Sequence, residues 1–317
     1  MALLEVKNLS VRYPVRTPLF CKQRYLYAVN DVSFTLGKGE TIGLVGESGC
    51  GKSTLGKALV RLEEPCSGEI LLAGKDLAHA KGRELLAMRK HFQMIFQDPY
   101  GSLNPRLTIF STLDEVISSA GKKSRQERWD KAAELMEMVG LSPDALSRYP
   151  HQFSGGQRQR IGIARSLAAD PDFIVADEPV SALDVSVQAS IVNLLQDIQQ
   201  KSQTAMLFIA HDLAVVEHIS SRILVMYLGN IVESAPAKEL VASPRHPYTE
   251  ALLSAVPTPD EGLSDRIRLA GDVPSPLDPP PGCPFHERCP YASAKCREEK
   301  PPVTVCGERS FSCWHPR

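Results

Sequence analysis

One nine-residue stretch restricts the fold of this chain more than any other part of it. Gly46-Glu47-Ser48-Gly49-Cys50-Gly51-Lys52-Ser53, followed by Thr54, sets glycines at a wide spacing ahead of a lysine and two hydroxyls. Such glycines let the backbone turn tightly, so that its N–H groups face phosphate oxygens. The flanks match. An apolar strand from Thr41 to Val45 leads in after a turn at Gly37 and Gly39, and Leu55, Ala58, Leu59 and Leu62 recur at helical intervals from Lys52 onward. The start of that helix directs its positive end at the same phosphates. In this arrangement Lys52 reaches the β and γ phosphates, and the Ser53 hydroxyl binds Mg2+.

The remaining pattern is α/β. Apolar strands are predicted at Phe173 to Ala176 and at Ala205 to Ala210, each followed by a turn or helix. LLEVKNLSVRY and NDVSFTLGKGETIGLVG alternate apolar and polar residues and read as strands, with residues 14–28 as a basic, aromatic-containing loop between them. From about Gln97 to Phe153 the pattern is mostly helical, with FSTLDEVISSA and SRQERWDKAAELMEMVG separated at Gly121. Residues 256–282 are rich in proline, which disfavours helix and central strand. No internal repeat is visible.

Composition excludes several classes. Of 317 residues, 43% are apolar, enough for a large core with appendages. The net charge of -1 argues against a dedicated nucleic-acid surface. The N-terminus makes a poor secretory signal. No segment approaches the roughly 20 continuous apolar residues that span a bilayer. A cytoplasmic location follows as the expectation.

Two strand ends carry further chemistry. PDFIVADEP finishes in Asp177-Glu178, where Asp177 suits Mg2+ coordination and Glu178 suits polarisation of an attacking water as general base. MLFIA finishes in His211-Asp212, which places a histidine to contact the γ phosphate and that glutamate. Either pair alone also fits a solvated or capped strand end. Beside the glycine-rich loop the chemical reading prevails.

With Phe153-Ser154-Gly155-Gly156-Gln157, and Arg158-Gln159-Arg160 after it, the chain resembles the nucleotide-binding subunits of ABC transporters over nearly its whole length. This is similar to the family's signature motif, with Phe where Leu is commonest, and a Ser-Gly-Gly turn into a helix is an anion-binding arrangement. The resemblance implies that Ser154, Gly155, Gly156 and Gln157 bind the γ phosphate of ATP held by an opposing subunit. It further implies that Tyr13 stacks on adenine and that Gln97 senses Mg2+ and γ phosphate. Ser181-Ala182-Leu183-Asp184 resembles the D-loop at the dimer interface, and His211 the switch histidine. The fold implied is an ATPase core with an N-terminal antiparallel β subdomain and a helical subdomain inserted at about 98–155. The core would fill residues 1–250, and a proline- and cysteine-rich extension 251–317.

The subfamily is marked by Gln97-Asp98-Pro99-Tyr100-Gly101-Ser102-Leu103-Asn104-Pro105, by His246-Pro247-Tyr248-Thr249 leading into EALLSAVP, and by the tail PSPLDPPPGCPFHERCPYA. These resemble importers of dipeptides and oligopeptides, closest to the second ATPase subunit of the dipeptide system. Nickel and some sugar or opine importers share the architecture. The expected assembly joins a sister ATP-binding subunit, two transmembrane permeases and an extracytoplasmic substrate-binding protein, with this chain peripheral on the cytoplasmic face of the cell membrane. A soluble ABC ATPase of DNA repair or translation is the alternative class. It fits less well, because the chain has one phosphate loop, one signature and no long heptad run. A regulatory subunit would suit degenerate catalytic residues, whereas Lys52, Asp177, Glu178 and His211 are intact.

Cys21, Cys50 and Cys66 are scattered, while Cys283, Cys289, Cys296, Cys306 and Cys313 crowd the last part of the chain. In a reducing compartment such a cluster reads as a metal site rather than as crosslinks. Four thiolates hold either a [4Fe-4S] cluster or tetrahedral Zn2+, and the spacing alone does not choose. The resemblance implies a [4Fe-4S] cluster on Cys283, Cys289, Cys296 and Cys313, with Cys306 spare. Free cysteines, or ligation by His286 or His315, remain open. Cys50 reads as a tolerated small side chain that thiol reagents would reach.

Overall fold

The computed structural model describes residues 2–15, 23–98, 101–121, 123–181, 183–255, 267, 269 and 271–317. In chain order the elements begin β1 (Ala2–Val15), β2 (Arg24–Gly37), β3 (Thr41–Val45), α1 (Lys52–Leu59), β4 (Ser67–Leu72), β5 (Lys75–Asp76) and α2 (Gly82–Met88). They continue β6 (Phe92–Ile95), α3 (Ile109–Ala120), α4 (Arg125–Met138), α5 (Gly155–Leu167), β7 (Phe173–Asp177), α6 (Val185–Ser202) and β8 (Ala205–Ile209). The C-terminal part holds α7 (Leu213–Ile219), β9 (Arg222–Tyr227), β10 (Asn230–Pro236), α8 (Ala237–Ala242), α9 (Pro247–Ser254), α10 (Ala294–Glu298), β11 (Thr304–Cys306) and β12 (Arg309–Phe311). The chain divides into two compact units. One comprises Gly37–Glu40 and His79–Phe208, the other Ala2–Leu36, Thr41–Ala78 and Ile209–Arg317.

In the first unit β6 runs parallel to β7, pairing Phe92 with Phe173 through Ile95 with Ala176, and β8 flanks β7 on its other side. Every residue of β7 and β8 is buried, as expected of apolar strands covered on both faces. The three helices α3, α4 and α5 bury Leu113 and Ile117, Leu135 and Met136, and Ile161 and Ala164. Their starts are written locally. Thr108 caps α3, and Ser124 with Glu127 forms a reciprocal capping box on α4.

The second unit contains an antiparallel sheet in the order β2-β1-β4-β5, with Leu4 opposite Leu72 and Val6 opposite Ile70. It also contains β3 running parallel to β9, with Val45 opposite Val225. β10 pairs antiparallel with β9, and the cysteine-rich extension then adds β12 and β11 beside β10. By composition the extension stands apart. In the structure it belongs to the same compact unit as the phosphate loop.

The expected loop at residues 14–28 is a correction. β1 runs on to Val15, and β2 already begins at Arg24, so the hairpin arms are longer than expected. The physical reason lies in the aromatics. Arg12 stacks over Tyr25 at 4.1 Å and donates to the Tyr27 hydroxyl at 3.3 Å, cross-strand pairs that extend the ladder. Cys21, Pro99, Tyr100 and Ala182 lie outside the described residues. Among the described residues no helix is long and apolar enough to cross a membrane.

Candidate active site

In the second unit the phosphate loop forms between β3 and α1 as the sequence predicts. Gly51 has φ 109°, and a Cβ there would sit 2.0 Å from the Ala28 carbonyl oxygen. Only glycine fits. Gly46, Ser48 and Gly49 complete the turn, and Ser53 and Thr54 follow on the first turn of α1. Lys52 is buried, its Nζ donating to the carbonyls of Gly46 at 2.7 Å and Glu47 at 3.0 Å, so the ammonium curls across the loop's mouth. The half-buried Tyr13 shares a hydrogen bond with Thr54, which brings the proposed adenine-stacking residue beside the loop. Burial pushes the Tyr13 phenol above its ordinary range.

Cys50 differs from expectation. It is buried, and desolvation pushes its thiol up, which suppresses the reactive thiolate. Glu47 also differs. Its amide donates to the Tyr248 hydroxyl at 2.8 Å and its carboxylate pairs with Arg288, so both its backbone and its side chain are engaged within the protein. Neither Tyr248 nor Arg288 stood out as a site residue in the sequence. The only signals were the His-Pro-Tyr-Thr stretch and an arginine adjoining Cys289.

In the first unit Asp177 ends β7 and is buried, while Glu178 turns away from the strand with φ 46°. A left-handed backbone at a non-glycine residue costs of order 1–3 kcal/mol and persists where the surroundings enforce it. Here the Glu178 carbonyl accepts from both the amide and the hydroxyl of Ser181, at 3.3 and 3.1 Å. The strain aims the side chain: Gln97 Nε2 donates to Glu178 Oε2 at 2.7 Å. Two residues read separately from the sequence thus meet. The same unit places Ser154 at the start of α5, its hydroxyl accepting from the Gln157 amide at 3.3 Å. Gln157 Oε1 accepts from the Ser154 amide at 3.0 Å in return. Gly155 and Gly156 form the first turn, and a Cβ on Gly156 would meet the Val187 side chain at 2.7 Å. Asp184 precedes α6 and is exposed, its carbonyl accepting from the Gln188 amide.

His211 belongs to the second unit, exposed just beyond β8, and Asp212 beside it caps α7 through the Ala214 and Val215 amides. The same unit gathers the extension's thiols. Cys283 and Cys296 are buried, Cys289 and Cys313 half-buried, and Cys306 exposed. Cys283, Cys289, Cys296 and Cys313 lie within electrostatic reach of one another. Backbone N–H groups of Phe285, Tyr291 and His315 bond the sulfurs of Cys283, Cys289 and Cys313. Burial pushes the Cys283 thiol up to about 11, and those of Cys289 and Cys313 upward too. His286 Nδ1 is bonded to the Cys283 carbonyl at 2.9 Å, and His315 Nε2 to Ser293 Oγ at 2.8 Å.

Comparison with known proteins places the chain in a family. A family model for ABC transporters matches residues 29–181, and one for the C-terminal region of oligopeptide/dipeptide transporters matches residues 232–296. The chain is 54% identical over 315 residues to the "Probable peptide ABC transporter ATP-binding protein y4tS" of Sinorhizobium fredii, covering 98% of this chain and 89% of that protein. It is 48% identical over 315 residues to the di/tripeptide transport ATP-binding protein DppF of Pseudomonas aeruginosa, covering 99% and 97%. Among solved structures, the dimeric ATP-binding cassette MJ0796 in a post-hydrolysis state with ADP and Pi matches with TM-score 0.66 and 28% identity. That match covers 74% of this chain and 98% of that one.

Proposed function

Because this chain belongs to the ATP-binding subunits of ABC transporters, close to those of peptide importers, we propose that its ATP hydrolysis drives uptake of dipeptides or oligopeptides. The observation that carries the cargo is the match of residues 232–296 to the C-terminal region of oligopeptide/dipeptide transporters. The working unit is a dimer with a sister ATP-binding subunit, seated on two permeases at the cytoplasmic face of the membrane and fed by an external binding protein.

Within that reading, Lys52 and the loop amides hold the β and γ phosphates of ATP. Ser53, Asp177 and Gln97 supply the oxygen ligands that Mg2+ prefers. When bound, Mg2+ offsets phosphate charge. Glu178 accepts the proton of the attacking water, and Gln97, hydrogen-bonded to it, fixes its direction. The capped start of α5, with Ser154, Gly155 and Gly156, presents N–H groups to the γ phosphate of the opposing subunit's ATP. Tyr13 stacks on adenine, His211 contacts the γ phosphate, and Asp184 meets the partner subunit.

The extension's donor set suits a [4Fe-4S] cluster on Cys283, Cys289, Cys296 and Cys313. The four sulfurs are mutual neighbours and three of them accept backbone N–H bonds, the kind that tunes cluster thiolates. When bound, the cluster would supply crosslinking to a short tail with little core of its own.

Affinity purification from detergent-solubilised membranes tests the function. Two permeases and a sister ATPase are expected to accompany the chain, and the ligand of the matching binding protein names the cargo. A chain recovered with ribosomal or DNA-repair proteins, and without permeases, would overturn the transport reading.

A further inference from the structure

The cysteine-rich extension reaches into the phosphate loop through one ion pair. Arg288 Nη1 donates to Glu47 Oε2 at 2.7 Å and Nη2 to Glu47 Oε1 at 2.9 Å, a two-pronged grip across 241 residues of sequence. The arginine side chain is 7% exposed and the glutamate 28%, so the pair is largely shielded from water. Paired forks of this kind are among the stronger protein hydrogen bonds.

The grip is rigidly mounted. The Arg288 amide donates to the Phe285 carbonyl at 3.1 Å, and Phe285 packs edge-on against Tyr227 at 5.2 Å and tilted against Tyr248 at 5.3 Å. Tyr248 in turn accepts the Glu47 amide. One aromatic cluster therefore anchors both the backbone and the side chain of Glu47, and every contact lies within one compact unit.

Glu47 poses an electrostatic problem. A carboxylate in a loop built to receive a triphosphate repels it, and the repulsion grows where water is excluded. We infer that Arg288 is a positioning residue for ATP binding, cancelling the charge of Glu47 and fixing the entrance of the phosphate loop, so that the C-terminal extension sets part of the nucleotide affinity. The inference rests on reading Gly46–Thr54 as the ATP site, and it is independent of the cargo. It separates charge from scaffolding. Removing Arg288 alone leaves an uncompensated carboxylate facing the phosphates, whereas removing both charges takes the repulsion away.

The test is a titration of the full chain with N-methylanthraniloyl-ATP and Mg2+, alongside thermal melting. Arg288→Gln is expected to weaken binding roughly tenfold, equivalent to about 1.4 kcal/mol. Glu47→Gln/Arg288→Gln is expected to recover most of that loss, and high salt to narrow the single variant's defect by screening. Wild-type affinity in Arg288→Gln would overturn the inference. So would an equal loss in single and double variants, which would make the arginine a plain strut. If Arg288→Gln does not fold, Arg288→Met, which keeps the apolar stem and removes the charge, is compared with Glu47→Gln/Arg288→Met. The double variant must then bind the nucleotide more tightly than the single, and equality overturns the inference. Lack of permease partners would remove the import reading and leave this titration untouched. Failure of the wild-type chain to bind the analogue would instead remove the ATP-site reading itself.

Discussion

Glu47 lies in the glycine-rich loop and Glu178 follows β7, one in each compact unit, and the chain treats the two carboxylates in opposite ways. Glu47 is gripped by the guanidinium of Arg288, which holds it and cancels its charge. Glu178 is held by the amide of Gln97, which orients it and leaves its charge in place. The backbone differs as well. Glu178 takes a strained left-handed conformation, whereas the left-handed positions in the phosphate loop fall to glycines. Under the proposed roles, the group that takes a proton is steered by a neutral donor, and the group that would repel the substrate is neutralised.

The largest effect expected from this contrast lies on the Glu178 side. Glu178→Gln should lower the rate of phosphate release by about 10^2- to 10^4-fold, while equilibrium ATP binding persists. The next lies on the Glu47 side, in its anchor. His246 is 1% exposed, its Nδ1 accepts the Tyr248 amide at 3.1 Å, and burial lowers its pKa to about 3. The unfolded chain binds a proton below about pH 6.5 that the folded ring refuses down to about pH 3. Stability from this group is therefore full above pH 6.5 and falls as pH drops, by about 1.4 kcal/mol per unit. Melting curves between pH 7 and 4 should show that slope, and His246→Asn should flatten it.

Smaller effects sharpen the contrast further. Gln97→Ala should cost roughly tenfold in kcat with little change in KM for ATP, since it loosens an aim rather than a charge. A rise in KM instead would assign Gln97 mainly to nucleotide binding. Smallest is Tyr248→Phe, which strips the acceptor from the Glu47 amide and should lower stability by about 1 kcal/mol in a denaturant titration.

The phosphate loop, both apolar strand ends and the capped start of α5 were legible because each is a local pattern. The turn at Gly51, Asp177 at the end of FIVAD and the Ser154–Gln157 box are each set by a few neighbouring residues. The hairpin arms flanking residues 16–22 were not, because cross-strand stacking of Arg12 on Tyr25 overrides a composition that reads as loop. Nor was the grip on Glu47, since nothing near residue 47 in sequence announces a partner at 288. The burial of Cys50 was equally hidden, being set by the fold around the loop. Partners distant in sequence leave no periodicity to read.

The most direct measurement compares Glu178→Gln and Arg288→Gln in one experiment, reading both nucleotide affinity and single-turnover phosphate release at saturating MgATP. The account predicts a crossed pattern. Glu178→Gln keeps affinity and loses turnover, and Arg288→Gln loses affinity and turns over once saturated. The same signature in both variants would contradict it, because the two carboxylates would then be doing one job.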